Sequence, residues 1–439
     1  MKIISLCGLL GYGYSEEALN IAFSEKVDYV GVDAGSTDPG PYYLGSGKSF
    51  TDRGAVKRDL ALALPKVLEH KAPFIIGTAG GAGSSEHVKW LKDILMEIAK
   101  EQNLSFTLGT IYSDVSMEYV LDKYENGKLI NMSDEMPVCK RDIEESTRIV
   151  SQIGIAPIIK LLEEKVDVIL CGRACDTAIY AAPCIYEGYK HGLAFHMAKI
   201  MECGAMCSQP VAAADVMQGY MHEDYFELVP ANPMRKCTVD SVAAHTLYEQ
   251  SNPYLIFEPD GVCDLTNSKF EQIDERTVRV SGSQFKDAYE KTLKLEGVKC
   301  KGYRTICPAT IYDPVTIRNI DLIIDTVMGF VKENTKNTLP PDSYIVTFKK
   351  SGGAESSLGI IIDVVGRTQE IADTVCALAR SRMLHCDYDG RKSTAGNLAF
   401  PFSPSDIHVG PVYEFSVFHL AKVESLLETS RIVVEEVKK

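Results

Sequence analysis

No uninterrupted apolar run in the 439-residue sequence is long enough to span a bilayer, so a helical membrane protein is excluded. Basic charge is scarce as well: 46 lysines and arginines stand against 60 aspartates and glutamates, a net charge of −14. Proteins that grip nucleic acid or an anionic membrane present basic surface, so neither is an expected partner. Cysteine is present thirteen times, but no CxxC pair occurs. The odd count, the scatter and the lack of a secretion signal point to reduced thiols in a cytoplasm. The start, "MKIISLCGLLGYGYSEEALN", has only a short, glycine-broken apolar stretch before a helical pattern. It reads as a first buried strand and a βα turn rather than a signal peptide. Fingerprints for nicotinamide or flavin binding are missing too, which lowers redox chemistry.

One motif is half present. "PYYLGSGKSF" contains Gly47-Lys48-Ser49, the end of a phosphate-binding P-loop, but the position five before Gly47 is Tyr42 and not glycine. The Gly- and Pro-rich approach makes a long loop rather than a tight phosphate cradle. Two CxxxC pairs, Cys171 with Cys175 and Cys203 with Cys207, could each place two thiolates on one helix face. That spacing is not the usual metal spacing, and cysteine is a common small core residue. No cofactor is identified, and a divalent metal stays open.

What is there is an alternation of strands and helices. "KIISLC", "VDYVGVD", "PFIIGT", "SFTLGTIY" and "VDVILCG" read as buried strands, with amphipathic helical patterns between them. This is the signature of an α/β fold, a largely parallel sheet covered by helices. The expected body runs over residues 1–335, with a β-rich elaboration at about 210–290. The polar stretch "KNTLPPDS" reads as a linker, followed by a small α+β module over 342–439.

Ligands of such sheets bind beyond the carboxyl ends of the strands, so the residues there are the candidates. Asp33 follows the second strand, and Lys48 and Arg53 lie in the loop after it. The turn with Thr78, Gly80 and Gly81 opens a helix, where free N–H groups favour an anion. Asp114 follows the next strand. Gly172 and Arg173 end the last one, with Asp176 one helical turn on. Arg173 could grip a carboxylate or phosphate while Asp176 orients it or moves a proton, or the two could form a structural pair. Glu202 and Cys203 end a helix capped by Gly204, and a carboxylate there opposes the helix dipole and needs a partner.

"CGRACDTAIYAAP" and the later "ECGAMC" resemble the GR-x-x-D and ECG signatures of the acyclic terpene utilisation, or AtuA-like, family. "TAGG", "IYSD" and "TLYEQSNPYLIFEPDGVCDL" fall into register with further family segments. "KKSGGAESSLGIIIDV" is similar to the opening of the family's ferredoxin-like domain. Three positions depart from the pattern: Ala198-Lys199 replaces Gly-His before ECG, Tyr12 stands for an early acid, and Ala354-Glu355 replaces a basic residue. The resemblance implies breakdown of branched acyclic compounds through CoA thioesters, and a ferredoxin-like C-terminal module.

The expected activity is therefore catabolic. A lyase, hydratase or isomerase would remove a proton beside a carbonyl of a small acyclic carboxylate or its CoA thioester. Arg173 and the Thr78–Gly81 turn would clamp a small anionic substrate, with Asp176, Asp114 or Glu202 as base. Asp33, Lys48, Arg53, Gly172 and Cys203 complete the expected binding set. The expected assembly is a homo-oligomer, with room for a small partner subunit. The alternative is a non-catalytic subunit that holds a metabolite for another enzyme.

Overall fold

The structure is a computed structural model that describes residues 1–134, 136–352, 357–392 and 395–438. The departure at Ala354-Glu355 lies outside the described residues. The chain divides into two compact units, one of residues 1–298 with 415–439 and one of residues 299–414.

The first unit is built on a ten-stranded sheet. Its centre is parallel, in the order Lys2–Ser5, Tyr29–Val32, Phe74–Ile76, Val168–Cys171 and Phe106–Tyr112. These are the five strands read from the sequence, and the mixed α/β class is what the chain adopts. Period-two alternation explains why they read as continuous apolar runs. Ile3, Tyr29, Ile75 and Ile169 enter one core, whereas Ile4, Val30, Ile76 and Leu170 enter another. Both faces of the sheet are buried, so neither set can be polar. Helices Arg53–His70 and Ser85–Gln102 cover one face; Ala156–Glu163, Ala178–Tyr186 and His191–Met201 cover the other.

Antiparallel strands Met217–Met221, Tyr225–Pro230, Val278–Ser281 and Lys269–Gln272 extend the sheet on one side, within the expected β-rich stretch. On the other side the C-terminal strand Arg431–Val437 pairs antiparallel with Phe106–Tyr112.

Among the described residues the second unit has four strands and two long helices in the order β-α-β-β-α-β. The C-terminal part of Thr292–Ile311 leads into helix Ile320–Thr335. The hairpin Tyr344–Ser351 and Leu358–Gly366 comes next, then helix Gln369–Leu384 and the strand that starts at Ile407. Ile323, Val327 and Val331 from one helix and Val375 and Ala379 from the other pack on Ile360, Ile362 and Val364. Residues 336–343, read as the linker between domains, connect a helix to a strand inside this unit. Among the described residues no helix is long and apolar enough to cross a membrane.

Candidate functional site

Arg173 is fixed by its neighbours rather than left free for a ligand. Its Nε donates to Glu296 at 2.7 Å and its Nη2 to the other Glu296 oxygen at 3.4 Å. Nη1 donates to the carbonyl of Ala174 at 3.0 Å and to the Thr78 hydroxyl at 3.4 Å. Arg173 is 2% exposed and Glu296 is fully buried. Burial alone would raise the Glu296 carboxyl, but Arg173 and Lys294 together hold it down to about 2. The bidentate fork expected to hold a substrate thus holds Glu296, 123 residues further on. No sequence spacing could have signalled that pairing.

Asp176 forms an ion pair with Arg173 at 3.6 Å, the i, i+3 pairing offered by the sequence, but beyond hydrogen-bond reach, and its Oδ1 is buried without a hydrogen-bond partner. Asp33 is in the same condition: the residue is 7% exposed and its Oδ1 has no partner. Burial pushes the Asp33 carboxyl well up, and Asp176 adds to the effect, against the Gly35 N–H and Arg173. Burial also raises Asp176, opposed by Arg173 and Lys199. Two carboxyls this close in effect cannot both ionise cheaply, and the charge on Asp176 further disfavours ionisation of Asp33.

Both line a pocket of about 260 Å³, which Cys203 also lines. Asp38 and Glu249 complete its acidic rim, and among the described residues no lysine or arginine lines it. Leu9, Phe50 and Met206 supply apolar wall, and Tyr12, at the position of the early acid, opens onto it half exposed.

Glu202 finds the partner that its place at a helix end demands. Lys199, one turn back, forms a buried ion pair with it. Burial raises the Glu202 carboxyl, Lys199 opposes, and Asp176 adds to the rise. Lys199 also faces the Tyr248 ring at 5.9 Å, and Tyr248 lines the pocket. The Gly-His departure therefore installs a buried cation beside the acids. The sequence hint was the i, i+3 spacing of Lys199 and Glu202.

The other candidates lie outside this pocket. Asp114 accepts from the Ser85 N–H at 3.0 Å and the Ser85 hydroxyl at 2.6 Å. The start of helix Ser85–Gln102 thus already has a carboxylate from its own chain, where an anion was expected. In the turn before it, a Cβ on Gly80 would sit 2.7 Å from the His87 ring, and one on Gly81 3.0 Å from Phe50. Those glycines admit neighbouring side chains. Thr78, buried at φ +36°, accepts from the Ala174 N–H and donates to the Ala174 carbonyl, both at 3.1 Å. It braces the Arg173 loop from below. Gly172 donates to Ile111 at 2.7 Å and packs on Ser113.

Arg53 pairs with Glu97 at 2.6 Å on the surface. Lys48 is exposed, and the ring of His87 holds its carbonyl at 2.9 Å. Gly47, at φ +70°, caps the end of a short helix, Pro41–Ser46. In a P-loop the Gly-Lys-Ser opens a helix and its N–H groups meet phosphate. Here it follows a helix end, where carbonyls point out. Among the described residues no group of three or more His, Cys, Asp or Glu is placed to hold a metal ion.

The family model described as acyclic terpene utilisation family protein AtuA matches residues 17–220 and 230–354. No curated protein and no solved structure matches the chain significantly.

Proposed function

Because the chain belongs to the acyclic terpene utilisation family, we propose that it is a catabolic enzyme that moves a proton beside the carbonyl of a small acyclic acyl thioester. Asp33 and Asp176 are the proton-handling pair. The observation that carries this reading is their two buried carboxylate oxygens on one pocket, neither with a hydrogen-bond partner. A carboxyl held up by burial and by a like neighbour is poised to give and take protons near neutral pH. Arg173 and Lys199 act from behind the acids and tune them. Arg173, engaged by Glu296, positions the loop that carries Asp176.

The acidic lining selects between the two expected substrates. A free carboxylate would meet Asp33, Asp38, Asp176 and Glu249 with no lining cation to offset them, whereas a thioester brings a neutral carbonyl. At about 260 Å³ the pocket is at the small end for ligand sites, which suits a short branched acyl group with the rest of the thioester outside. Lyase, hydratase and isomerase chemistry all begin with this proton transfer.

The test is deuterium exchange at the α-carbon of short branched acyl thioesters in D2O, read by mass spectrometry. Wild type should exchange, and Asp176→Asn and Asp33→Asn should lose at least about a hundredfold in rate while still binding the thioester. Binding without exchange by wild type would favour the metabolite-holding subunit. Exchange at the wild-type rate in both variants would sink the assignment.

A further inference from the structure

The loop that carries Asp176 carries a second chemical group on its other side. Cys175 lines a different cavity, of about 400 Å³, together with Glu258. The Cys175 thiol donates to Glu258 Oε2 at 3.2 Å, and the Thr177 hydroxyl donates to the same oxygen at 2.8 Å. Cys175 is held in place through its N–H, which donates to the Ile153 carbonyl at 2.8 Å. Next to Ile153, Gln152 lies directly across the strand pair from Lys294, and both line this cavity. Met132, Phe257, Val262 and Leu420 give it apolar wall.

We propose that Cys175 is an acyl-accepting nucleophile, with Glu258 as its base and Gln152 as donor toward the carbonyl oxygen, and that its ligand is an apolar acyl group delivered as a thioester. The choice of donor rests on the proposed function; the site does not, because it uses another cavity and other residues. In the step, the Cys175 sulfur forms a bond to the acyl carbon and the carbon–sulfur bond of the incoming thioester breaks. The thiol proton passes to Glu258 and from there to the departing thiolate. Burial and the carboxylates of Glu258 and Asp176 push the Cys175 thiol up, so the thiolate is not preformed and the base has to act during attack. Glu258 suits that task, since burial raises it to about 7 against the Thr177 and Cys175 hydrogen bonds.

The experiment incubates the full-length chain with an N-acetylcysteamine thioester of a short branched acid. Released thiol is measured, and the acylated cysteine is mapped by peptide mass spectrometry. The expected result is about one acyl group per chain on Cys175, lost in Cys175→Ser and slowed roughly a hundredfold in Glu258→Gln. The wild-type map decides the matter even where a variant fails to fold. Acyl groups confined to the exposed Cys139 and Cys300 would overturn the proposal, and so would unchanged acylation in Glu258→Gln. α-Carbon exchange that survives in Cys175→Ser separates this outcome from the fate of the Asp33–Asp176 reading.

Discussion

Replacing Glu296 by glutamine removes one charge and almost no volume, and it measures what the buried Arg173–Glu296–Lys294 cluster is worth. Glutamine can still accept from Arg173, but a guanidinium that is 2% exposed would then lack its closest counter-charge. Breaking a buried pair from one side costs about 3–5 kcal/mol. A second route gives a similar figure. The carboxyl is held at about 2 instead of 4.5, and at 1.36 kcal/mol per pH unit that is about 3 kcal/mol. The sign follows from the depressed pKa: this stability is fully present above pH 4.5 and is lost as pH falls toward 2. Denaturant unfolding of wild type and Glu296→Gln should therefore differ by about 3 kcal/mol at pH 7, and by about 1 kcal/mol less at pH 3.5. A variant within 0.5 kcal/mol of wild type at pH 7 would refute the reasoning. Arg173 would then be free of its structural obligation, and a substrate clamp would again fit it.

Thr78→Val keeps the shape but removes the hydroxyl that bonds Ala174 on both sides, so thermal and denaturant unfolding should show a loss of about 1–3 kcal/mol. Gly83→Ala places a Cβ about 2.2 Å from the Arg173 nitrogen at a φ of +71°; a loss above roughly 3 kcal/mol, or no soluble folded protein, is expected, and near-wild-type stability would contradict the packing. Lys48→Ala should change stability by less than about 0.5 kcal/mol, and calorimetry on wild type should show no magnesium-dependent ATP binding, because Gly47 caps a helix end.

The parallel core was legible because burial on both sheet faces leaves no choice of residue type. Runs such as "VDVILCG" have one reading once helical patterns flank them. The loop after that run was legible as a place of buried charge pairing, since a charge at the end of an apolar strand has to be compensated. Part of what compensates it was legible, because Asp176, one turn on, pairs with Arg173 at 3.6 Å. The closer partner was not, because Glu296 comes from a strand far along the chain. Asp114 shows the converse limit: an acid after a strand looks catalytic in sequence, yet the helix start next to it uses the carboxylate as a cap. The end of the chain misled for a topological reason. Arg431–Val437 is apolar enough to be any strand, and only pairing shows that it completes the first sheet.

Charge ties these observations to the chemistry. Arg173 pairs with Glu296 at 2.7 Å and, at the longer distance of 3.6 Å, with Asp176, while Lys199 pairs with Glu202. Burial and the neighbouring Asp176 both disfavour the ionised form of Asp33, whereas Arg173 and Lys199 offset part of the burial at Asp176. Under the proposed function, a carboxylate substrate would add a further negative charge beside these acids and the others that line the pocket, and a neutral thioester carbonyl would add none. Because Arg173 gives its shortest contact to Glu296, the Asp33 and Asp176 Oδ1 atoms stay without a hydrogen-bond partner on the pocket, and the proposed proton transfer rests on them.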